Sequence, residues 1–110
     1  MSAAHLYVIV PVLNEAGNMP RLIEALQRLA GELAGSHTVS VRLVDDGSTD
    51  DTASLARELA GELDLQVLSH ATNLGPGQAF ATAFASLHGQ LTPQDAVVTI
   101  EGDNTSRVEL

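Results

Sequence analysis

The stretch VRLVDDGSTDDT, residues 41–52, decides the fold class because it changes from apolar to polar residues in the middle. The first part is apolar and β-branched, which is typical of a buried strand, and the second part is polar with one glycine. Two adjacent aspartates, Asp45 and Asp46, stand where the strand should end. Like charges side by side repel each other unless a cation or a hydrogen-bond donor lies close to them. The stretch therefore predicts a strand that runs into a polar loop and then into a helix.

Outward from residues 41–52, apolar β-rich runs alternate with segments of helical period. The predicted strands cover residues 5–12, 38–44, 65–69 and 96–100, and the predicted helices cover residues 20–33, 51–63 and 77–88. A helix between each pair of strands produces right-handed crossovers and parallel neighbours. We therefore expect an α/β fold with an open, doubly wound, mostly parallel sheet of the Rossmann-like type.

Composition limits the class of protein and the kind of ligand. The chain of 110 residues fits one domain, and its 14 acidic and 5 basic residues give a formal net charge of −9. This charge argues against nucleic acid as a partner, and a phosphorylated ligand would need a divalent cation. Cysteine is absent, which excludes a thiolate metal site. No apolar run reaches the ~18 residues of a transmembrane helix, and the N-terminus lacks a secretory signal, so we expect a cytoplasmic protein.

Four polar segments follow the four predicted strands. They are PVLNE (11–15), DDGST (45–49), NLGPG (73–77) and EGD (101–103). In an open parallel sheet, ligands bind beyond the carboxyl ends of the strands, and all four segments belong to that edge. Their convergence favours a ligand site more strongly than any one segment does alone.

The two acidic segments each have a structural and a functional interpretation. Asp45 and Asp46 either end a strand and lead into helix capping, or accept hydrogen bonds from a nucleobase and a ribose. In the functional interpretation, Gly47 lets the backbone approach the ligand closely. The EGD segment forms either a tight turn with two solvated acids or a pair of carboxylates on a divalent cation.

The third segment and the histidines give weaker signals. Gly75 and Gly77 precede a helix N-terminus, where phosphates bind well, but the segment lacks both the GxGxxG pattern and the lysine of a Walker loop. For this segment alone we favour the structural interpretation, in which glycine and proline shape the start of the helix. The 4 histidines, His5, His37, His70 and His88, lack metal-ligand spacing, and we interpret them as ordinary surface or hydrogen-bonded residues.

Together, the four segments resemble those of family 2 glycosyltransferases, and within that family the dolichol- or polyprenyl-phosphate sugar transferases. IVPVLNE is similar to the family's P-x-x-N-E strand end, and LVDDGSTDDT to its aspartate-rich second loop. NLGPGQA is similar to its N-x-G-x-G-x-A segment, and TIEGD to its acid-x-acid metal motif. Order and spacing agree over essentially the whole chain. The resemblance implies a nucleotide-diphospho-sugar transferase fold and an inverting, metal-assisted transfer of a sugar to an acceptor such as polyprenyl phosphate.

The resemblance also implies a role for each matching residue. The expected donor-binding residues are Pro11, Asn14, Glu15, Asp45, Asp46, Gly47, Gly75 and Gly77. Among them, Asp45 and Asp46 would contact base and ribose. Glu101, which stands where the family usually has Asp, and Asp103 would hold Mg²⁺ or Mn²⁺ against the diphosphate of a UDP- or GDP-linked sugar.

Family catalytic domains are usually much longer than this chain. We therefore expect residues 1–110 to be the nucleotide-sugar-binding half of a truncated catalytic domain, inactive by itself, with any catalytic base and any membrane attachment in parts outside this chain. An uncovered sheet edge would also favour association with a second copy.

Two other classes stay open at this point. A response-regulator receiver domain has a similar length and alternation, but it needs an aspartate at the end of the third strand and a lysine near the end of the fifth. This chain has Ser69 and His70 at the first place and no lysine at all. A non-catalytic nucleotide-binding or interaction module fits the same loops as a transferase does.

Overall fold

A computed structural model of the chain describes residues 4–100, in which strands and helices alternate. The elements are β1 (Ala4–Val12), α1 (Met19–Leu33), β2 (His37–Asp45), α2 (Thr52–Leu59), β3 (Asp64–Ser69), α3 (Pro76–Ser86) and β4 (Ala96–Thr99), with a short 3-10 helix (Ala16–Asn18) before α1. Every predicted strand and helix is present. The predicted α/β alternation is confirmed.

The strands form one parallel sheet in the order β3-β2-β1-β4. The chain first moves outward from β1 to β3, and α3 then returns it across the sheet to place β4 beside β1. The direction of winding therefore reverses between β1 and β4, which makes this gap the topological switch point where ligands bind in open α/β sheets. The predicted open, doubly wound sheet is confirmed.

Residues of β1 alternate between two apolar cores. Leu6, Val8 and Val10 pack with α1 on one face of the sheet. Tyr7 and Ile9 pack with α3 on the other face. Because both faces are covered, the strand reads as a nearly continuous apolar run rather than as an alternation of apolar and polar residues.

Helix α2 ends earlier than its apolar period predicts, at Leu59 instead of residue 63. Gly61 follows with a φ of 57°, a left-handed conformation that commonly terminates helices. The side-chain amide of Gln27, on α1, donates to the carbonyls of Leu59 and Ala60 at 3.1 and 3.0 Å. This neighbouring helix supplies the C-terminal cap, and the sequence of α2 alone gives no sign of it.

Candidate functional site

Three of the four predicted loops meet at the carboxyl edge of the sheet, as expected. The segment after β2 is hydrogen-bonded to the segment after β1 through Asn14 and to the segment after β3 through Asp46. The fourth segment, EGD, lies outside the described residues. Strand β4 nevertheless runs parallel to β1, and the Ile100 amide donates to the Ile9 carbonyl at 2.9 Å. Strand β4 thus leads the chain along β1 toward this edge of the sheet, and Ile100 is the last described residue before Glu101.

Asn14 joins the first loop to the second. Its φ of 52° is left-handed, a conformation that asparagine tolerates better than most residues. In this conformation its side-chain oxygen accepts from the Thr49 amide at 2.8 Å, while its own amide donates to the Ser48 hydroxyl at 2.8 Å. Asn14 therefore positions the loops, and a direct contact with a nucleoside stays a prediction.

The next residues extend the link between the two loops to the start of α2. The Glu15 amide donates to the Thr52 hydroxyl at 2.9 Å, and the Ala16 amide donates to the Asp50 carboxylate at 3.2 Å. Asp50 also accepts from the Thr52 hydroxyl and from its amide, whereas Asp51, the N-cap residue of α2, makes no side-chain cap hydrogen bond. The side-chain hydrogen bond from Thr52 is the main reason that the pKa of Asp50 is lowered, against the opposing effect of burial.

Asp45 is buried and contacts both adjacent loops. Its Oδ1 atom accepts from the Ser48 amide at 3.0 Å, which closes the second loop. Its backbone carbonyl accepts from the His70 amide at 2.9 Å, which continues the pairing of β2 with β3 beyond Ser69. The carboxylate thus has a structural role at the strand end, as one of the two sequence interpretations holds.

Asp46 fixes the third loop. Its Oδ1 accepts from the Leu74 amide at 2.8 Å, its Oδ2 accepts from the Gly75 amide at 2.9 Å, and His70 Nδ1 lies 2.8 Å from Oδ1. Burial alone would raise the pKa of Asp46, but the hydrogen bonds from His70, Leu74 and Gly75 outweigh burial and lower it. A carboxylate oxygen has two acceptor sites, so Oδ2 keeps capacity for a further donor. The structure thus adds a loop-holding role to the predicted contact with base or ribose.

Gly47 is required by the third loop. Its φ is 84°, and a Cβ atom at this position would lie 2.4 Å from both the Asn73 nitrogen and the Thr72 carbonyl carbon. The sequence predicted close approach by a ligand at this glycine. The close approach that the structure shows comes instead from the backbone of residues 72–73, which explains the glycine without a ligand.

The two glycines of the third loop differ. Gly75 has a φ of 95° and precedes the first turn of α3, and its amide donates to Asp46 Oδ2 at 2.9 Å and to Asn73 Oδ1 at 3.0 Å. Gly77 lies inside α3, and a Cβ atom there would meet no atom of residues 4–100 within 4 Å. Nothing in the packing of the described residues demands a glycine at position 77, and its donor-binding role stays a prediction.

His70 is the site residue that sequence reasoning missed. Its side chain is 9% exposed, with Nδ1 2.8 Å from Asp46 Oδ1 and Nε2 2.7 Å from the Thr82 hydroxyl on α3. The spacing of the 4 histidines gives no reason to single out one of them. The available signal was positional: His70 directly follows β3, and therefore lies beside the acidic end of the parallel strand β2.

A cavity of 420 Å³ opens between the first three loops and the start of α3. Its lining combines apolar side chains with two carboxylates and one amide: Pro11, Val12, Leu13, Glu15, Asp46, Asn73, Pro76, Ala79 and Phe80. The volume falls in the range of small-molecule sites, and a mostly apolar wall with a few polar groups is their usual composition. Of the predicted donor-binding residues, Pro11, Glu15 and Asp46 line this cavity.

The electrostatics of the cavity oppose an unaccompanied anion. Its lining contains no arginine, and the whole chain contains no lysine. Between Asp64 and Asp95 the sequence carries no Asp, Glu, Lys or Arg, so α3 adds no formal charge to its side of the cavity. Within residues 4–100, no group of three or more His, Asp or Glu side chains is arranged to hold a metal ion. The predicted metal ligands Glu101 and Asp103 lie outside that range.

The sequence profile of Glycosyl transferase family 2 matches residues 7–107 of the chain. The match covers the sheet, the three loops that border the cavity and the predicted metal motif. This protein belongs to Glycosyl transferase family 2. The predicted resemblance is confirmed.

Curated relatives carry a more specific name. An undecaprenyl-phosphate 4-deoxy-4-formamido-L-arabinose transferase of Enterobacter sp. (strain 638) is 34% identical over 98 residues, covering 87% of this chain and 28% of its own length. The same-named protein of Salmonella choleraesuis (strain SC-B67) is 31% identical, and that of Pseudomonas fluorescens (strain Pf-5) is 30% identical, each over 98 residues and 87% of this chain. The chain spans 27–28% of the length of these relatives. No helix within residues 4–100 has the length and apolar character that a membrane crossing requires.

Proposed function

We propose that this chain binds the nucleotide-diphosphate sugar of a metal-assisted, inverting glycosyl transfer, with polyprenyl phosphate as the acceptor. The observation that carries the proposal is the cavity at the carboxyl edge of the sheet, where the apolar wall of Pro11, Ala79 and Phe80 faces the carboxylates of Asp46 and Glu15. Family membership supplies the reaction class, and the cavity supplies a place for the donor.

The nucleoside fits the chemistry of this cavity. A nucleobase presents a flat apolar face, which the prolines and Phe80 can cover, and its edge and the ribose carry N–H and O–H donors. Asp46 Oδ2 has an acceptor site left, and its lowered pKa keeps the carboxylate ionised at neutral pH. This acceptor in the cavity wall is therefore already charged, and hydrogen bonds from the third loop hold it in place.

The diphosphate needs a cation, because the cavity wall is acidic and the chain's formal net charge is −9. Glu101 and Asp103 would hold it, since Mg²⁺ and Mn²⁺ prefer oxygen ligands and two carboxylates with one residue between them can share one ion. When bound, the cation would act as a Lewis acid that stabilises the charge on the departing diphosphate. Asp45 and Asp46 already accept hydrogen bonds from the loops, which leaves the metal to the fourth segment.

In the proposed reaction, a phosphate oxygen of the acceptor forms a bond to the anomeric carbon of the sugar. The bond from that carbon to the diphosphate oxygen breaks, and the nucleoside diphosphate leaves with the electron pair. A phosphate acceptor is already ionised at neutral pH, so the step needs no strong general base. The names of the curated relatives support a polyprenyl-phosphate acceptor.

A thermal-shift and calorimetric panel tests the donor half of the proposal. UDP, GDP and their sugar conjugates are added with and without Mn²⁺ or Mg²⁺ to the chain and to its Asp103→Asn variant. We expect one nucleotide to raise the melting temperature clearly only when the cation is present, and the variant to lose this dependence. Asp95→Asn is the matched control, because Asp95 binds the amides of His5 and Thr92 at the opposite edge of the sheet.

Two results would contradict the proposal. Equal nucleotide binding with and without cation, or in wild type and Asp103→Asn, would contradict a cation held between Asp103 and the diphosphate. If no nucleotide binds under any of these conditions, the proposal that the cavity binds the sugar donor is wrong. An assay of sugar transfer to polyprenyl phosphate distinguishes a transferase from a nucleotide-binding module without activity.

A further inference from the structure

We propose that His70 is a positioning residue of the donor site, holding Asp46 and the third loop in the arrangement that shapes the cavity. The inference rests on the proposed function and adds to it a residue that makes no contact with the ligand itself. It starts from a feature that the nucleotide chemistry does not use, namely a buried imidazole with a partner on each ring nitrogen.

The two partners fix the ring and its tautomer. Asp46 is ionised at neutral pH, so the Nδ1–H group of His70 donates to Asp46 Oδ1 over 2.8 Å. The other ring nitrogen, Nε2, lies 2.7 Å from the Thr82 hydroxyl, which is within hydrogen-bond distance. His70 thereby links the loop after β2 to helix α3. Of the charged groups in residues 4–100, only the Asp46 carboxylate makes a hydrogen bond to the ring.

The position of Asp46 in turn sets the third loop. Its carboxylate accepts from the amides of Leu74 and Gly75, which directly follow Asn73 and precede Pro76. Asn73, Pro76 and Asp46 itself all line the cavity. Rotation of the carboxylate would therefore release these two amides and move part of the cavity wall, although His70 is absent from the lining.

The two ring contacts can be separated by substitution. Asn at position 70 can place an amide N–H near the Nδ1 position but cannot reach Thr82. Leu fills similar space without any donor. Thr82→Val removes only the contact on α3. His88→Leu is the matched control, because His88 is an exposed histidine just beyond the other end of α3.

Two measurements on the whole chain test the inference: hydrogen exchange of the Leu74 and Gly75 amides without ligand, and affinity for the nucleotide selected by the panel above. In His70→Leu the buried Asp46 carboxylate loses one of its hydrogen-bond donors. We therefore expect the Leu74 and Gly75 amides to exchange about tenfold faster and the nucleotide to bind about tenfold more weakly. We expect His70→Asn to restore both to within about threefold of wild type, and Thr82→Val to have a smaller effect of the same sign. Amides in the centre of β1 and β2 should exchange as in wild type.

Exchange that accelerates equally in β1, β2 and the third loop would show that His70 serves only global stability, and would overturn the inference. Unchanged exchange and affinity in His70→Leu, or no rescue by His70→Asn, would overturn it as well. If the wild-type chain binds no nucleotide, the proposed function fails. The exchange measurement needs no ligand and still decides whether His70 holds the loop.

Discussion

Hydrogen-bonded polar side chains gather at both ends of the sheet, and the two clusters differ in what they join. At the amino end, His5 Nε2 lies 2.7 Å from the Ser40 hydroxyl, which donates to Asp64. These residues lie on β1, β2 and β3, and their contacts run across neighbouring strands. At the carboxyl end, Asn14 and Asp46 instead join loops to one another, and the joined loops surround a cavity. Satisfied polar clusters are thus common to both ends, and the carboxyl-end cluster differs because the loops that it joins line the cavity between them.

Arg42 is a cation that lies near the amino-end cluster. The His5 ring stacks on Tyr7 with centroids 4.4 Å apart, and the Arg42 guanidinium lies 5.6 Å from the centroid of the same Tyr7 ring. Arg42 is buried, and its Nε atom has no hydrogen-bond partner among the described residues. The hydrogen bonds of this cluster join strands rather than the loops around the cavity, so we expect substitutions in it to leave ligand binding unchanged.

Gly47→Ala should produce the largest effect, because it breaks the carboxyl-end cluster at its closest contact. The new Cβ atom would lie 2.4 Å from the backbone of residues 72–73, at a φ of 84° that alanine adopts poorly. Strain and displacement of the third loop together should cost about 3 kcal/mol of unfolding free energy. Chemical denaturation measures this loss.

The control for Gly47→Ala is Gly77→Ala in the same site. No described atom would contact its Cβ within 4 Å, and alanine favours a helix, so we expect a gain of about 0.5 kcal/mol. If Gly77 contacts the donor as predicted, this stable variant should still bind nucleotide more weakly. A large loss of stability in Gly77→Ala, or none in Gly47→Ala, would contradict the packing described for the two glycines.

Asp46→Asn should have the next largest effect and should change the dependence of stability on pH. Replacing the carboxylate weakens its bonds to His70, Leu74 and Gly75 and should cost about 2 kcal/mol. The pKa of Asp46 is lowered from its ordinary value of 3.8, so the unfolded chain takes up its proton first as the pH falls. The stabilisation is therefore complete at neutral pH and is lost as the pH falls below 3.8 through the folded-state pKa.

Denaturation curves between neutral pH and pH 2.5 check this prediction. The difference in unfolding free energy between wild type and Asp46→Asn should shrink as the pH falls. Asp95→Asn is informative beside it, since hydrogen bonds from Thr92 and His5 also lower the pKa of Asp95. We expect that variant to change acid stability without changing nucleotide affinity. A difference that stays constant with pH would contradict the role assigned to Asp46.

Asn14→Ala should have an intermediate effect, concentrated in the first and second loops. It removes the acceptor for the Thr49 amide and places alanine at a φ of 52°. We expect a loss of about 1 to 1.5 kcal/mol. Asn14→Gly keeps the backbone conformation accessible and removes the same side chain. A similar loss in both variants would assign the effect to the hydrogen bond, and a loss in alanine alone would assign it to the backbone.

The sequence alone predicted the alternation of elements, the parallel sheet and the edge where the loops meet, because these follow from local periodicity and chain connectivity. The hydrogen-bond partners of Asp46 could not be predicted from the sequence. They come from residues 24 to 29 positions further along the chain, and only the folded third loop brings them close. The end of α2 was missed for the same reason, because Gln27 caps it from another helix. Local pattern located the edge where the loops meet, and tertiary contacts decide which groups the side chains at that edge bind.

Ser40→Ala should have the smallest effect and is the sharpest test of the difference between the two ends. The change removes the hydroxyl that links His5 to Asp64, and Ser40 is 2% exposed, so water replaces the link poorly. We expect a loss of about 1 kcal/mol in unfolding free energy and no change in nucleotide affinity. Calorimetric titration of Ser40→Ala with the nucleotide that wild type binds checks the second part. Weaker binding in this variant would mean that the amino end of the sheet influences the cavity, and the division between a structural end and a ligand-binding end would no longer hold.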